Sequence, residues 1–239
     1  MTEIPAPPPD LDADLDTVLD TDHGAAPYLR EAVLGAIDGA VTTFAIVAGV
    51  AGAGLPIGVV LALGTANVVA DGFSMAAGIY AGGRANMEDA ARRRALFTTL
   101  VTRDPAAARA RLARLLAARG LTGDALMQAT EAIGQSRSAW IGFLVDGIDA
   151  PSVPAPARDA VATFLAFLCC GLLPLVPFAV GAPHPFATSV LATAVTFAGI
   201  GVLKSQWSLR RWWTSAAETL LIGGAAALIA YGVGRLFEG

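Results

Sequence analysis

Two aspartates stand inside long apolar runs, where charge is costly. Asp38 lies in LREAVLGAIDGAVTTFAIVAGVAGAG and Asp71 in LPIGVVLALGTANVVADGFSMAAGIYAGGR. An ionised side chain at hydrocarbon depth faces a polar path or a partner, and by default marks function. Helical positions seven apart nearly superpose, so Glu31 and Asp38 share a face and Thr42 lies one turn beyond. In the second run Asn67, Asp71, Met75 and Gly78 follow at i, i+4, i+8 and i+11 and form a second stripe.

Together the stripes offer carboxylate and amide oxygens and one thioether, with neither imidazole nor thiolate. Hard oxygen suits Mg, Mn and Fe(II), and a polarizable sulfur shifts the preference towards transition metals. A zinc or copper site would be expected to use His or Cys. The candidate metal ligands are therefore Asp38, Asp71, Met75, Asn67 and Glu31. The ion that fits them is Fe(II) or Mn(II) in transit, a transported substrate with no resident cofactor implied. A carboxyl group in a low-dielectric setting holds its proton and gives it up to an arriving cation, so metal–proton exchange follows from the same residues.

Plainer readings stand beside this one. Glu31 suits the first turn of a helix, where the dipole favours an acid. Asn67 suits interhelical hydrogen bonding, Met75 suits core filling, and Asp38 with Asp71 suits a structural pairing. The pairs Gly35/Gly39 and Gly78/Gly82 have the small-xxx-small spacing of closely packed membrane helices, within or between subunits.

The elements that must position these residues are legible in composition. The 239 residues are 55% hydrophobic and 15% charged, with mean hydropathy +0.60. A soluble chain carries about a quarter charged residues. The apolar residues gather into runs of about twenty, the length of a spanning helix. The expected fold is all-α and polytopic, with spans near 32–54, 57–83, 160–180, 186–203 and 215–235, the third interrupted by Pro174 and Pro177. A short helical cytoplasmic insertion separates the second and third.

Residues 1–27 carry Glu3, Asp10, Asp12, Asp14, Asp16, Asp20 and Asp22 with no Lys or Arg, which predicts a disordered, acidic, Pro-rich cytoplasmic tail. His23 stands alone there, and no signal peptide is expected. Residues 28–83 hold the first two spans and 159–239 the last three. Residues 84–158 hold eleven Arg and seven acids, with Leu96, Phe97, Leu100, Leu112, Leu115 and Leu116 at helical spacing. That pattern predicts two or three amphipathic helices on or near the membrane surface, one starting at Pro105 and one stopping at Gly120. Cys169 and Cys170 are adjacent, point apart on a helix, and read as small hydrophobes. Trp207, Trp212 and Trp213 suit the interface.

With a cytoplasmic N-terminus and five spans, fifteen of the sixteen Lys and Arg fall on the cytoplasmic side and only Arg235 outside, beside the C-terminus. Arg outnumbers Lys fifteen to one and Ala is abundant, as in GC-rich genomes. The expected location is a bacterial plasma (inner) membrane.

REAVLGAIDGAVTTFAIVAGVAGA with ADGFSMAAGIY resembles the first two helices of the vacuolar iron transporter family. FLAFLCCGLLPLVPF is similar to its third helix, and SAAETLLIGGAAALIAYGVGRLF to its fifth. The resemblance covers nearly all of the chain after residue 28. It implies a homodimer of five-helix subunits with a pore at the interface, exporting Fe(II) and often Mn(II) from the cytosol in exchange for protons. It places Asp38 at the pore carboxylate, Met75 at the pore methionine and Glu31 near the cytosolic mouth. Asn67 and Asp71 fall where plant-type members carry Glu and Met, a swap that tilts the preference towards Mn(II). The Glu-rich metal-collecting domain of those members has no counterpart here. Residues 84–158 hold only Glu88 and Glu131, and WIGFLVDGIDAP offers only Asp146 and Asp149, so no cytosolic metal store is expected.

Two other functions use the same acids. An intramembrane aspartyl protease would employ Asp38 and Asp71 as a dyad, but neither AIDGA nor VADGF carries the GxGD pattern of such enzymes. A non-transporting scaffold or regulator would use them to hold helices together. A transporter would be no enzyme, and its partners would be metal, protons, lipid and a second copy, with no nucleic acid.

Overall fold

The computed structural model describes residues 27–146, 155–205 and 212–238, and among these all regular structure is helical. In chain order the helices are α1 (Pro27–Gly52), α2 (Ile57–Arg103), α3 (Pro105–Ala118), α4 (Gly123–Gln135) and α5 (Arg137–Asp146). Then follow α6 (Pro156–Leu172), a 3₁₀ turn (Leu173–Leu175), α7 (Val176–Ala179), α8 (Pro185–Ser205) and α9 (Trp212–Leu236). Five segments are long and apolar enough to cross a membrane: α1, α2, α6 with α7, α8 and α9. His23, Asp149 and Trp207, and the acidic leader before Pro27, lie outside the described residues.

The chain divides into two compact units, residues 1–78 with 157–239, and residues 79–156. In the first, small residues bring helix backbones together, as packing in lipid requires when no hydrophobic force acts between helices. A Cβ at Gly35 would lie 2.7 Å from the Thr163 carbonyl oxygen, and one at Gly39 would lie 2.5 Å from that of Phe167. So α1 and α6 run side by side at near backbone contact. On another face of α1, Gly234 of α9 meets Gly49, and Gly52 meets Tyr231. Phe44, Val47, Val50, Val60, Val68, Phe167, Leu175 and Phe178 form the core where α1, α2 and the third span meet.

The break in the third span follows from its two prolines, each lacking an N–H for the carbonyl four residues back. The helix tightens to a 3₁₀ turn there, and the Ser189 hydroxyl of α8 donates to the Pro174 carbonyl at 2.7 Å. Three further buried hydroxyls bond within their own helices: Thr163 donates to the Asp159, Thr193 to the Ser189 and Thr219 to the Ser215 backbone oxygen. The hydroxyls of Thr43 and Ser215 are buried without a hydrogen bond. Between α1 and α2 the chain reverses at Gly54, whose φ of +66° favours glycine, and Leu55 N–H closes on the Val50 carbonyl.

The second unit is built on a small core of Val101, Leu112, Leu116, Trp140, Ile141 and Leu144. Pro105 opens α3 behind Asp104, whose carboxylate accepts from Ala107 N–H at 2.9 Å. Gly120 follows its end at φ +95°. Leu96 and Leu115 lie outside that core and are exposed. One detail differs from the sequence expectation. The helix of the second span does not stop near residue 83: α2 continues to Arg103, 47 residues in all. No Gly or Pro interrupts residues 84–103, and the i,i+4 pairs Arg84–Glu88 and Asp89–Arg93 favour the helix.

Candidate cation site

Close packing on one side of α1 dictates what its other side presents. Gly35 and Gly39 are pressed against α6, so Asp38, about 100° round from Gly39, emerges exposed. The same logic acts on α2. Val68 and Gly72 face the core, Gly72 lying against Phe164, Phe167 and Leu168, and Asp71 is turned outward. Gly39 and Gly72 both pack on Phe167, so Asp38 and Asp71, each one residue earlier, stand at the same level of the bundle. Beside them on α2, Val69 and Phe73 are exposed at 52% and 68%.

The remaining expected ligands are less open. Met75 is half-buried and packs against the core of α1, α2 and α6. Asn67 is half-buried, its Nδ2 enclosed without a hydrogen-bond partner. Glu31 is half-buried near the start of α1. Thr42, which the helical spacing aligns with Asp38, spends its hydroxyl on the Asp38 backbone carbonyl at 2.7 Å. Among the described residues a Cβ added at Gly78 or Gly82 would meet nothing within 4 Å, so the small-residue spacing there is not used for packing among them. Among the described residues no three His, Cys, Asp or Glu side chains converge on one point. One chain thus presents two carboxylates on an open face, with Asn67 a turn before Asp71 and the exposed Ser74 a turn after it. Such a pair can hold a hard cation but not enclose it.

One acid is not conspicuous in the sequence. Asp159 sits in the first turn of α6 with Oδ1 buried, outside any hydrogen bond but ion-paired with the Arg158 guanidinium at 3.8 Å. Its position just after Pro156, at the start of an apolar run, is the signal that could have found it.

These features define a polytopic helical membrane protein with an acidic pair on its first two spans. The model of the VIT family matches residues 29–235, and the chain belongs to that family. It is 27% identical to Vacuolar iron transporter 1 of Oryza sativa subsp. japonica, over 88% of this chain and 85% of the relative. It is 25% identical to Vacuolar iron transporter 1 of Arabidopsis thaliana, over 90% and 88%. With the vacuolar iron transporter of Toxoplasma gondii it shares 27% identity over 88% of this chain and 74% of that one.

Proposed function

We propose that this protein moves Fe(II), Mn(II) or both out of the cytosol, in exchange for protons, along a path between two copies of the chain. The names of its relatives support iron as cargo. The observation that carries the reading is the exposed Asp38–Asp71 pair on an open face of one chain. Left against lipid, two carboxylates would be costly. Covered by the same face of a second copy, four would line a passage on the two-fold axis.

In that passage Asp38 and Asp71 provide charge, Asn67 an amide oxygen, and Met75 a soft sulfur reached by a rotamer change from its half-buried position. Glu31 attracts cations at the mouth. Binding and release stay weak because no single chain closes a cage. Each carboxylate that meets an ion gives up a proton, and takes one when the ion leaves. The cytoplasmic N-terminus follows from the distribution of Lys and Arg.

The test is uptake into proteoliposomes. Fe(II) and Mn(II) should enter vesicles holding the wild-type protein, and Asp38→Ala, eluting as wild type on size exclusion, should lose at least about tenfold in rate. Equal uptake by the two proteins would remove Asp38 from the path. No uptake by a well-folded wild type would leave the scaffold reading in front.

A further inference from the structure

A cavity of about 370 Å³ opens between α3 and α4, within the size range of small-molecule sites. Arg109 and Ala113, one turn apart, line it from α3. Gly123, Leu126, Met127 and Glu131 line it from α4. Gly123 stands at φ +57°, which favours glycine, and so leaves its end of the cavity without a side chain.

Two opposite charges line this one cavity, and neither is spent on the fold. Among the described residues Arg109 and Glu131 take part in no ion pair, with each other or with a third group. Arg109 is nonetheless held: its guanidinium lies over the Trp140 ring, 6.0 Å from the centre. Trp140 is itself fixed in the core of residues 79–156. A cation–π contact takes the face of the guanidinium and leaves its N–H edges free to donate.

The walls decide the class of ligand. A simple anion would meet the charge of Glu131, and a metal ion that of Arg109, so each group repels the other's plain counter-ion. A molecule that carries both charges satisfies the two together, and Ala113, Leu126 and Met127 suit an apolar body. We propose that the cavity binds a free α-amino acid with an apolar side chain. Its carboxylate meets the Arg109 guanidinium, its ammonium meets the Glu131 carboxylate, and its side chain lies along Leu126 and Met127. Bound there, the ligand bridges α3 and α4 and stabilises the folded state by mass action. The site stands apart from the metal-transport reading and does not depend on it.

The test is isothermal titration calorimetry on the full-length protein in detergent, with L-leucine and L-methionine as probes. Both should bind the wild type. Isocaproate, which lacks the ammonium, and isoamylamine, which lacks the carboxylate, should each bind at least about tenfold more weakly, as the loss of one charged hydrogen-bonding end dictates. Arg109→Met keeps an apolar stem for the Trp140 ring and Glu131→Gln keeps the side-chain length. Both positions are exposed, so both variants should elute as wild type. Each should weaken L-leucine by about tenfold or more. Arg114→Gln, on α3 but outside the cavity, should bind as wild type does. Absence of binding by the wild type, or unchanged binding in Arg109→Met and Glu131→Gln, would overturn the site. Isocaproate binding as tightly as L-leucine would overturn the ligand class. A loss in Arg114→Gln equal to that in Arg109→Met would trace the binding to overall charge and overturn the proposal as well.

Discussion

At the residue scale, the balance at Asp38 and Asp71 rests on charge and not on shape. Both are exposed on one chain, so an amide of equal size fits without repacking. Asp38→Asn and Asp71→Asn should therefore assemble and melt within about 0.5 kcal/mol of wild type, as surface changes do. Metal flux should nonetheless fall at least about tenfold. Flux at wild-type rates together with a large loss of thermal stability would reverse that assignment and make the acids structural. Met75 gives a finer test. It packs against the core, so Met75→Leu should hold the fold while shifting relative uptake from Fe(II) towards Mn(II), measured by competition. No change in the ratio would return Met75 to a packing role.

At the element scale, the first two spans act as a frame that aims side chains. Gly39 is pressed on a carbonyl oxygen of α6, which cannot give way cheaply. Gly39→Ala should cost about 1–3 kcal/mol by overpacking, read as a lower unfolding midpoint in detergent. Gly199 in α8 has open space around it, and Gly199→Ala should be neutral or stabilising by up to about 1 kcal/mol. Equal effects at both positions would mean that backbone proximity is not what holds α1 against α6.

Much of this frame was legible in the sequence. Runs of apolar residues and the prolines of the third span announced the helices and the 3₁₀ break, because length and missing N–H groups act locally. The aspartates announced themselves by being charged where little else is. The continuation of α2 to Arg103 was harder to see: hydropathy falls after Gly83, but helix propensity does not. Asp159 was missed for a different reason. Its interest lies in a buried oxygen paired with the neighbouring Arg158, and that burial does not exist until the helices pack.

At the scale of the whole molecule, an open acidic face asks for a cover. Under the proposed function, a second copy related by a two-fold axis would supply one with the same residues on both sides. In a Cys169→Ser, Cys170→Ala background, Phe73→Cys should crosslink between copies in membranes on mild oxidation. Leu228→Cys on α9, also exposed, should not. Crosslinking only at Leu228→Cys would place the interface on another face and separate the carboxylates from it. The family match runs over residues 29–235 and takes in residues 79–156 together with the spans.

The most direct measurement follows both ions at once: Mn(II) entry and internal pH in vesicles that hold wild type or Asp38→Ala. With wild type, Mn(II) entry should raise internal pH as protons leave, and both signals should vanish together in the variant. Mn(II) entry without any proton movement would contradict the exchange, and both signals persisting in Asp38→Ala would contradict the path.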